Sequence, residues 1–261
     1  MPFMTLRFPK FSAPCIWGRF VSITPLWVIQ SQGLRSYTAG ACASFKIVFT
    51  KPSLYNSNRE FARVKFMERR ASVHRTTKET DIQLEIDLDG SGKVAVATQI
   101  PFFDHMLTLL AVHGFFDLSL TVHGDIEVDF HHTVEDVGLV LGRAFSEALG
   151  SRRGICRYGT GQVPMDEAFS RVNVDLSNRP FLIYKLPEPI RVSGPFDAYL
   201  AKEFFRAFSV QGGMNLHIHG EYGENEHHIL ESLFKATGRA LQRACAMDPR
   251  ITGVLSSKGD L

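Results

Sequence analysis

The chain repeats itself, and a repeat restricts the fold more than any other feature of this sequence. LTVHGDIEVDFHHTVEDVGLVLGRAF, from Leu120, and LHIHGEYGENEHHILESLFKATGRAL, from Leu216, align without gaps at an offset of 96 residues. Leu120, His123, Gly124, His131, His132, Glu135, Gly142, Arg143 and Ala144 fall on Leu216, His219, Gly220, His227, His228, Glu231, Gly238, Arg239 and Ala240. So many matches, several of them His or Gly, mark an internal duplication. Two like half-domains are expected, over residues 67–155 and 156–261.

Each half opens with strands. DIQLEIDLD alternates apolar and polar residues, as a half-buried strand does, and GKVAVATQIP follows after the turn DGSG. SRVNVDLS and PFLIYKL are their counterparts in the second half, and LSLTVHGDIEV and MNLHIHGEY read as later strands. After each His-His pair, apolar residues recur at three- and four-residue steps, the helical period. Segments 101–113 and 197–209 read as two further helices. The expected class is α+β, with mostly antiparallel sheets and helices covering one face.

Charge sets the duplicated part apart from what precedes it. The 261 residues carry a net +2, but residues 1–66 hold nine basic groups against the single acid Glu60, so they are +8 and the rest is −6. All ten histidines lie beyond Val73. The basic, nearly acid-free leader shows no sustained period. It reads as an organelle transit peptide or as sequence outside the native protein, with Met67 a natural start, and as disordered or cleaved otherwise. Its apolar stretch is broken by Arg19 and Pro25, short of a membrane span. It carries no base-reading motif, so neither nucleic acid nor membrane is an expected partner. The expected location is cytoplasmic, or plastid if the leader is a transit peptide. Cys15, Cys42, Cys156 and Cys245 form no CxxC pair, which excludes a disulfide framework and a thiolate zinc site.

The repeated motif is His-His-x-x-Glu at a helix start. Positions i and i+4 share a helix face, so His131 and Glu135 can hold one ion together. His132 is turned away by about 100° and is free to reach a neighbouring ion. His227, His228 and Glu231 repeat the arrangement. A single copy would be an ordinary polar helix start, with Glu suiting the helix dipole. Two copies in register, facing each other, make a nearly symmetric two-metal site of nitrogen and oxygen ligands, suited to manganese, iron or zinc. His123 and His219 also repeat, but on strands, where packing or outer hydrogen bonding is the expected role.

RTTKETDI, PFFDHML, HHTVEDVG, NRP, EFFRAF, HHILESLFKA and SSKG occur in this order. From about Met67 to the C-terminus the chain resembles imidazoleglycerol-phosphate dehydratases of histidine biosynthesis. The resemblance implies a duplicated unit like the second domain of ribosomal protein S5. It implies dehydration of imidazole glycerol phosphate to imidazole acetol phosphate. It also implies two manganese ions per active site and a 24-subunit homo-oligomer with sites between neighbours. By motif, one ion takes His105, His131, Glu135 and His228, and the other takes His132, His227, Glu231 and Glu203. Family members carry His or Glu at that last position. Glu79 matches a substrate-contacting glutamate and is the candidate acid–base group, with His105, Glu135 and Glu231 the other residues placed at the chemistry. His113 lies in a substrate-contacting stretch. Arg157, Arg179, Lys235, Ser257 and Lys258 match phosphate-side positions, and Leu109 stands where some relatives have glutamine. A two-metal hydrolase of a phosphorylated substrate would use the same ligands on water, and phosphate release would reveal it. A metal-storage protein would not need the Arg and Lys set.

Overall fold

The computed structural model describes residues 68–188, 194 and 196–259, so the expectations for the basic leader and for a start at Met67 lie outside the described residues. The first half runs β1 (Arg70–Thr76), β2 (Thr80–Asp87), β3 (Val94–Ala97), α1 (Pro101–Gly114), β4 (Asp117–Gly124) and α2 (His131–Leu149). The second runs β5 (Tyr158–Met165), β6 (Ala168–Asp175), β7 (Phe181–Lys185), α3 (Ala198–Gly212), β8 (Asn215–Tyr222) and α4 (Glu226–Cys245). The same order of elements thus occurs twice.

Each half builds one four-stranded sheet, ordered β1-β2-β4-β3 and β5-β6-β8-β7. Three strands of each are antiparallel neighbours. The fourth, β3 or β7, pairs parallel with β4 or β8, so both sheets are mixed. A parallel pair needs a crossover, and α1 and α3 supply it. Strand β2 shows why one face is covered: Ile82, Leu84 and Ile86 alternate inward and are buried, while Gln83 and Glu85 are exposed. Among the described residues no helix is long and apolar enough to cross a membrane.

The gapless 96-residue offset holds for α2 and α4 but not for the strands before them. Asp87 faces Asp117 in one sheet, and Asp175 faces Asn215 in the other. The strand positions therefore correspond as Leu118 to Leu216, an offset of 98. A shorter loop before α4 restores 96 at His131 and His227. His123 and His219 are thus not true counterparts. Both lie on strands, as expected, and neither joins the clusters described below.

The halves exchange helices. Of the other helices, α2 packs chiefly on α3, and α4 on α1, so the two His-His-x-x-Glu helices do not face each other directly as expected. The repeated glycines make this possible. A Cβ on Gly142 would meet Phe208 O at 2.7 Å, and one on Gly238 would meet Leu110 O at 2.3 Å. Gly238→Ala is expected to cost about 3 kcal/mol, the top of the usual overpacking range, because rigid backbone cannot yield. A lowered thermal midpoint checks this, and an unchanged midpoint would refute so close a crossing. Phe204, Phe205 and Phe208 of α3 fill the space beneath, with Phe204 stacked on Phe234 of α4 at 5.6 Å.

Candidate active site

Side chains from the loops set the start of each motif helix. Asp129 Oδ1 accepts from the His131 N–H at 2.8 Å, and Asn225 Oδ1 accepts from the His227 N–H at 2.9 Å. From these fixed starts the motif behaves as its spacing predicts. His131 Nε2 lies 3.3 Å from Glu135 Oε2, and His227 Nε2 lies 3.2 Å from Glu231 Oε2. The adjacent rings stand nearly perpendicular, at 85° for His131–His132 and 81° for His227–His228.

The first cluster joins α4 to α1. His105, His227 and Glu231 each offer a ligand atom, all within 4.8 Å of one another, with His105 Nε2 3.8 Å from Glu231 Oε2. Lys235 Nζ is 2.5 Å from the other oxygen of Glu231. Burial alone would raise the Glu231 carboxyl, but Lys235, His105 and His227 outweigh it and hold the group below its ordinary value. His113 is nearby, its pKa lowered by burial and then by Lys235 and Arg239.

The second cluster joins α2 to α3. Arg206 donates through Nε to Glu203 at 2.7 Å and through its terminal nitrogen to Glu135 at 2.9 Å, beside His131. Glu203 is buried, at 7% exposure. Its place follows from the fold: the 98-residue offset that relates β4 to β8 also carries His105 onto Glu203. Glu203 is to α2 what His105 is to α4.

Within one chain the motif residues group by helix pair rather than by the expected division of ligands. His105 stands with His227 and Glu231, not with His131 and Glu135. Glu203 stands with Glu135, not with Glu231. The cause is the helix exchange, since α1 rests on α4 and α3 on α2. The second histidines join neither cluster within the chain. His132 Nδ1 meets Asp125 Oδ2 at 3.0 Å, and His228 Nδ1 meets Glu167 Oε2 at 2.6 Å. Those carboxylates raise both imidazole pKa values, Asp125 first for His132 with Glu79 adding to it, and Glu167 first for His228. An acid on Nδ1 fixes the ring and leaves Nε2 for an ion, the usual outer support of a metal-bound histidine. Asp125, Glu167 and Arg206 were not anticipated from the sequence, because acids and cations in loops or on helices carry no periodic signal.

The donor chemistry fits a first-row divalent ion. Imidazole nitrogens and carboxylates converge without thiolate, and the two free thiols among the described residues, Cys156 and Cys245, belong to neither cluster. Burial pushes the Cys245 thiol up to about 12, as suits a core residue.

The phosphate-side set divides. Arg157, Arg179, Ser257 and Lys258 line one cleft of about 930 Å³. Lys235 is not among the residues lining it and lies at the first cluster. Arg157 is committed to Asp175, at 2.6 Å from Nε, and to Leu255 O, at 2.5 Å. Its fork fastens the C-terminal segment that presents Ser257 and Lys258. Leu109 packs half-buried against the core. Glu79 is exposed at the tip between β1 and β2, near enough to influence His132.

Fold and site together define a class: a duplicated α+β enzyme with imidazole–carboxylate clusters at its helix starts. The family model for imidazoleglycerol-phosphate dehydratase matches residues 98–241. An imidazoleglycerol-phosphate dehydratase of Desulfosudis oleivorans is 58% identical over 193 residues, covering 74% of this chain and 99% of the relative. One of Trichlorobacter lovleyi is 53% identical over 195 residues, covering 75% and 100%. The crystal structure of the Staphylococcus aureus imidazoleglycerol-phosphate dehydratase matches with a TM-score of 0.62 at 35% identity, covering 69% of this chain and 99% of that one. The Pyrococcus furiosus structure, in complex with (S)-C348, matches with a TM-score of 0.64 at 36% identity, covering 72% and 100%. The chain belongs to the imidazoleglycerol-phosphate dehydratase family.

Proposed function

We propose that this chain dehydrates imidazole glycerol phosphate to imidazole acetol phosphate in histidine biosynthesis, with two manganese ions per site. The convergence of His105, His227 and Glu231 is the observation that carries the metal reading. His131, Glu135 and Glu203 would hold the second ion once Arg206 moves aside. His132 and His228, each oriented by an acid and turned away from its own cluster, would complete clusters on neighbouring copies. A homo-oligomer with sites between subunits is part of this proposal, of the 24 chains that the family resemblance implies.

Bound manganese would supply Lewis acidity and a template for the imidazole ring. The chain supplies the rest. Glu79 takes the proton from the substrate carbon next to the one that loses hydroxyl and passes it to that hydroxyl, which leaves as water, and the resulting enol becomes the ketone. Arg179, Ser257 and Lys258 bind the phosphate from their cleft, and Arg157 holds the segment of Ser257 and Lys258 in place. His113 and Lys235 line the substrate's path beside the first cluster.

The test is chelation and restoration. Full-length protein stripped by chelator is expected to lose dehydratase activity and to regain it with manganese. Folded, metal-loaded protein that releases phosphate from ester substrates, without dehydrating imidazole glycerol phosphate, would favour the hydrolase alternative instead.

A further inference from the structure

The hairpin tip that carries Glu79 is held from beneath by one buried carboxylate. Thr77 Oγ1 accepts from the N–H of Glu79 at 3.1 Å and of Thr80 at 3.0 Å, which closes the turn. The Thr80 hydroxyl, on a residue 3% exposed, donates to Asp136 Oδ2 at 2.5 Å. Arg75 on β1 approaches the same oxygen at 2.5 Å. Asp136 is 8% exposed and follows Glu135 on α2. The first turns of α2 thus present His131, His132 and Glu135 at the site and grip the hairpin with the next residue. A second tie runs from the Asp125 N–H to Glu79 O at 3.1 Å.

The second half shows what is special in this arrangement. Ser232 occupies the position of Asp136 at the 96-residue offset, and its hydroxyl meets Ser170 at 2.5 Å. A neutral pair is enough to join that hairpin to its helix. There the hairpin glutamate, Glu167, is occupied with His228 Nδ1 at 2.6 Å. In the first half Asp125, from the longer loop before α2, takes the equivalent role on His132. Glu79 is thereby released from orienting a histidine. Of the two hairpins, the charged anchor belongs to the one whose glutamate is released.

We propose that Asp136 is a positioning residue for Glu79, fixing the hairpin above His132 through Thr80 and Arg75. This rests on the reading of Glu79 as the acid–base group. A misplacement of the order of 1 Å is enough to slow turnover by roughly 10²-fold.

The test uses the full chain loaded with manganese. Asp136→Ser installs the residue found in the other half. It is expected to lower kcat by roughly 10–100-fold while KM and manganese content stay near parental. In a Glu79→Gln background the same change is expected to cost nothing further, because residues that act through one another are not additive. Loss of manganese in D136S, or losses that multiply in the double variant, would overturn the proposal. Should D136S fail to fold, Thr80→Val against Thr80→Ser decides. A slow T80V with a near-parental T80S supports the anchor, and parental turnover in T80V overturns it. E79Q alone tests the underlying reading, since undiminished turnover there removes Glu79 from the chemistry whatever Asp136 does.

Discussion

Glu79→Gln is expected to lower kcat by roughly 10²–10⁴-fold, the range that a positioned acid–base group contributes. The substitution is isosteric and falls on an exposed hairpin residue, where changes usually shift stability by no more than about 0.5 kcal/mol. Glu79 is not in the His105–His227–Glu231 group, so manganese content should not change. A variant that binds manganese normally and has lost turnover fits proton transfer. A variant that turns over normally ends that role for Glu79. Reduced metal content would instead place Glu79 among the ligands' supports.

Glu231→Gln is expected to fail for the opposite reason. Glu231 is 7% exposed and meets His227 at 3.2 Å, His105 at 3.8 Å and Lys235 at 2.5 Å. Losing an outer support of a metal site typically costs about 10–100-fold in affinity, and loss of a carboxylate ligand should exceed that. Manganese titration of the chelated variant reads the effect, and parental affinity would exclude Glu231 as a ligand. The metal-free protein offers an independent check. The folded carboxyl sits below its ordinary value, so it adds stability above the unfolded pKa and loses it as pH falls through the lowered folded value. E231Q should flatten that acid limb of the stability profile.

Much of this was legible from residue spacing. An i to i+4 separation puts His131 with Glu135 and His227 with Glu231 whatever the tertiary fold, and both pairs are found. Six of the eight described strands were read, because one face of each sheet is covered, while β1 and β5 were not. Which motif residues meet within one chain was not legible, because it depends on which helices pack, and they pack across the halves. The gapless repeat misled in the strands for a related reason: a loop of different length absorbs a two-residue slip that leaves side-chain alternation intact. Asp125, Asp136 and Glu167 had no periodic signature. Their roles come from carboxylates meeting partners as far as 61 residues away in the chain. Arg157 shows the reverse case, where a position carried over as a phosphate contact is tied up within the chain by Asp175 and Leu255.

The helix exchange has a consequence for descent. Each ligand cluster takes one helix from each half, so a single half standing alone owns no complete cluster. An ancestor of half this length could have gathered such ligands only by pairing with a second copy of itself, each copy lending its first helix to the other. Fusing two such copies would leave one chain with the repeated order of elements seen here. Once the partners were joined, their equivalent positions no longer had to be identical. His105 and Glu203, Asp136 and Ser232, and Glu79 and Glu167 are positions where the two halves now differ in residue or in partner.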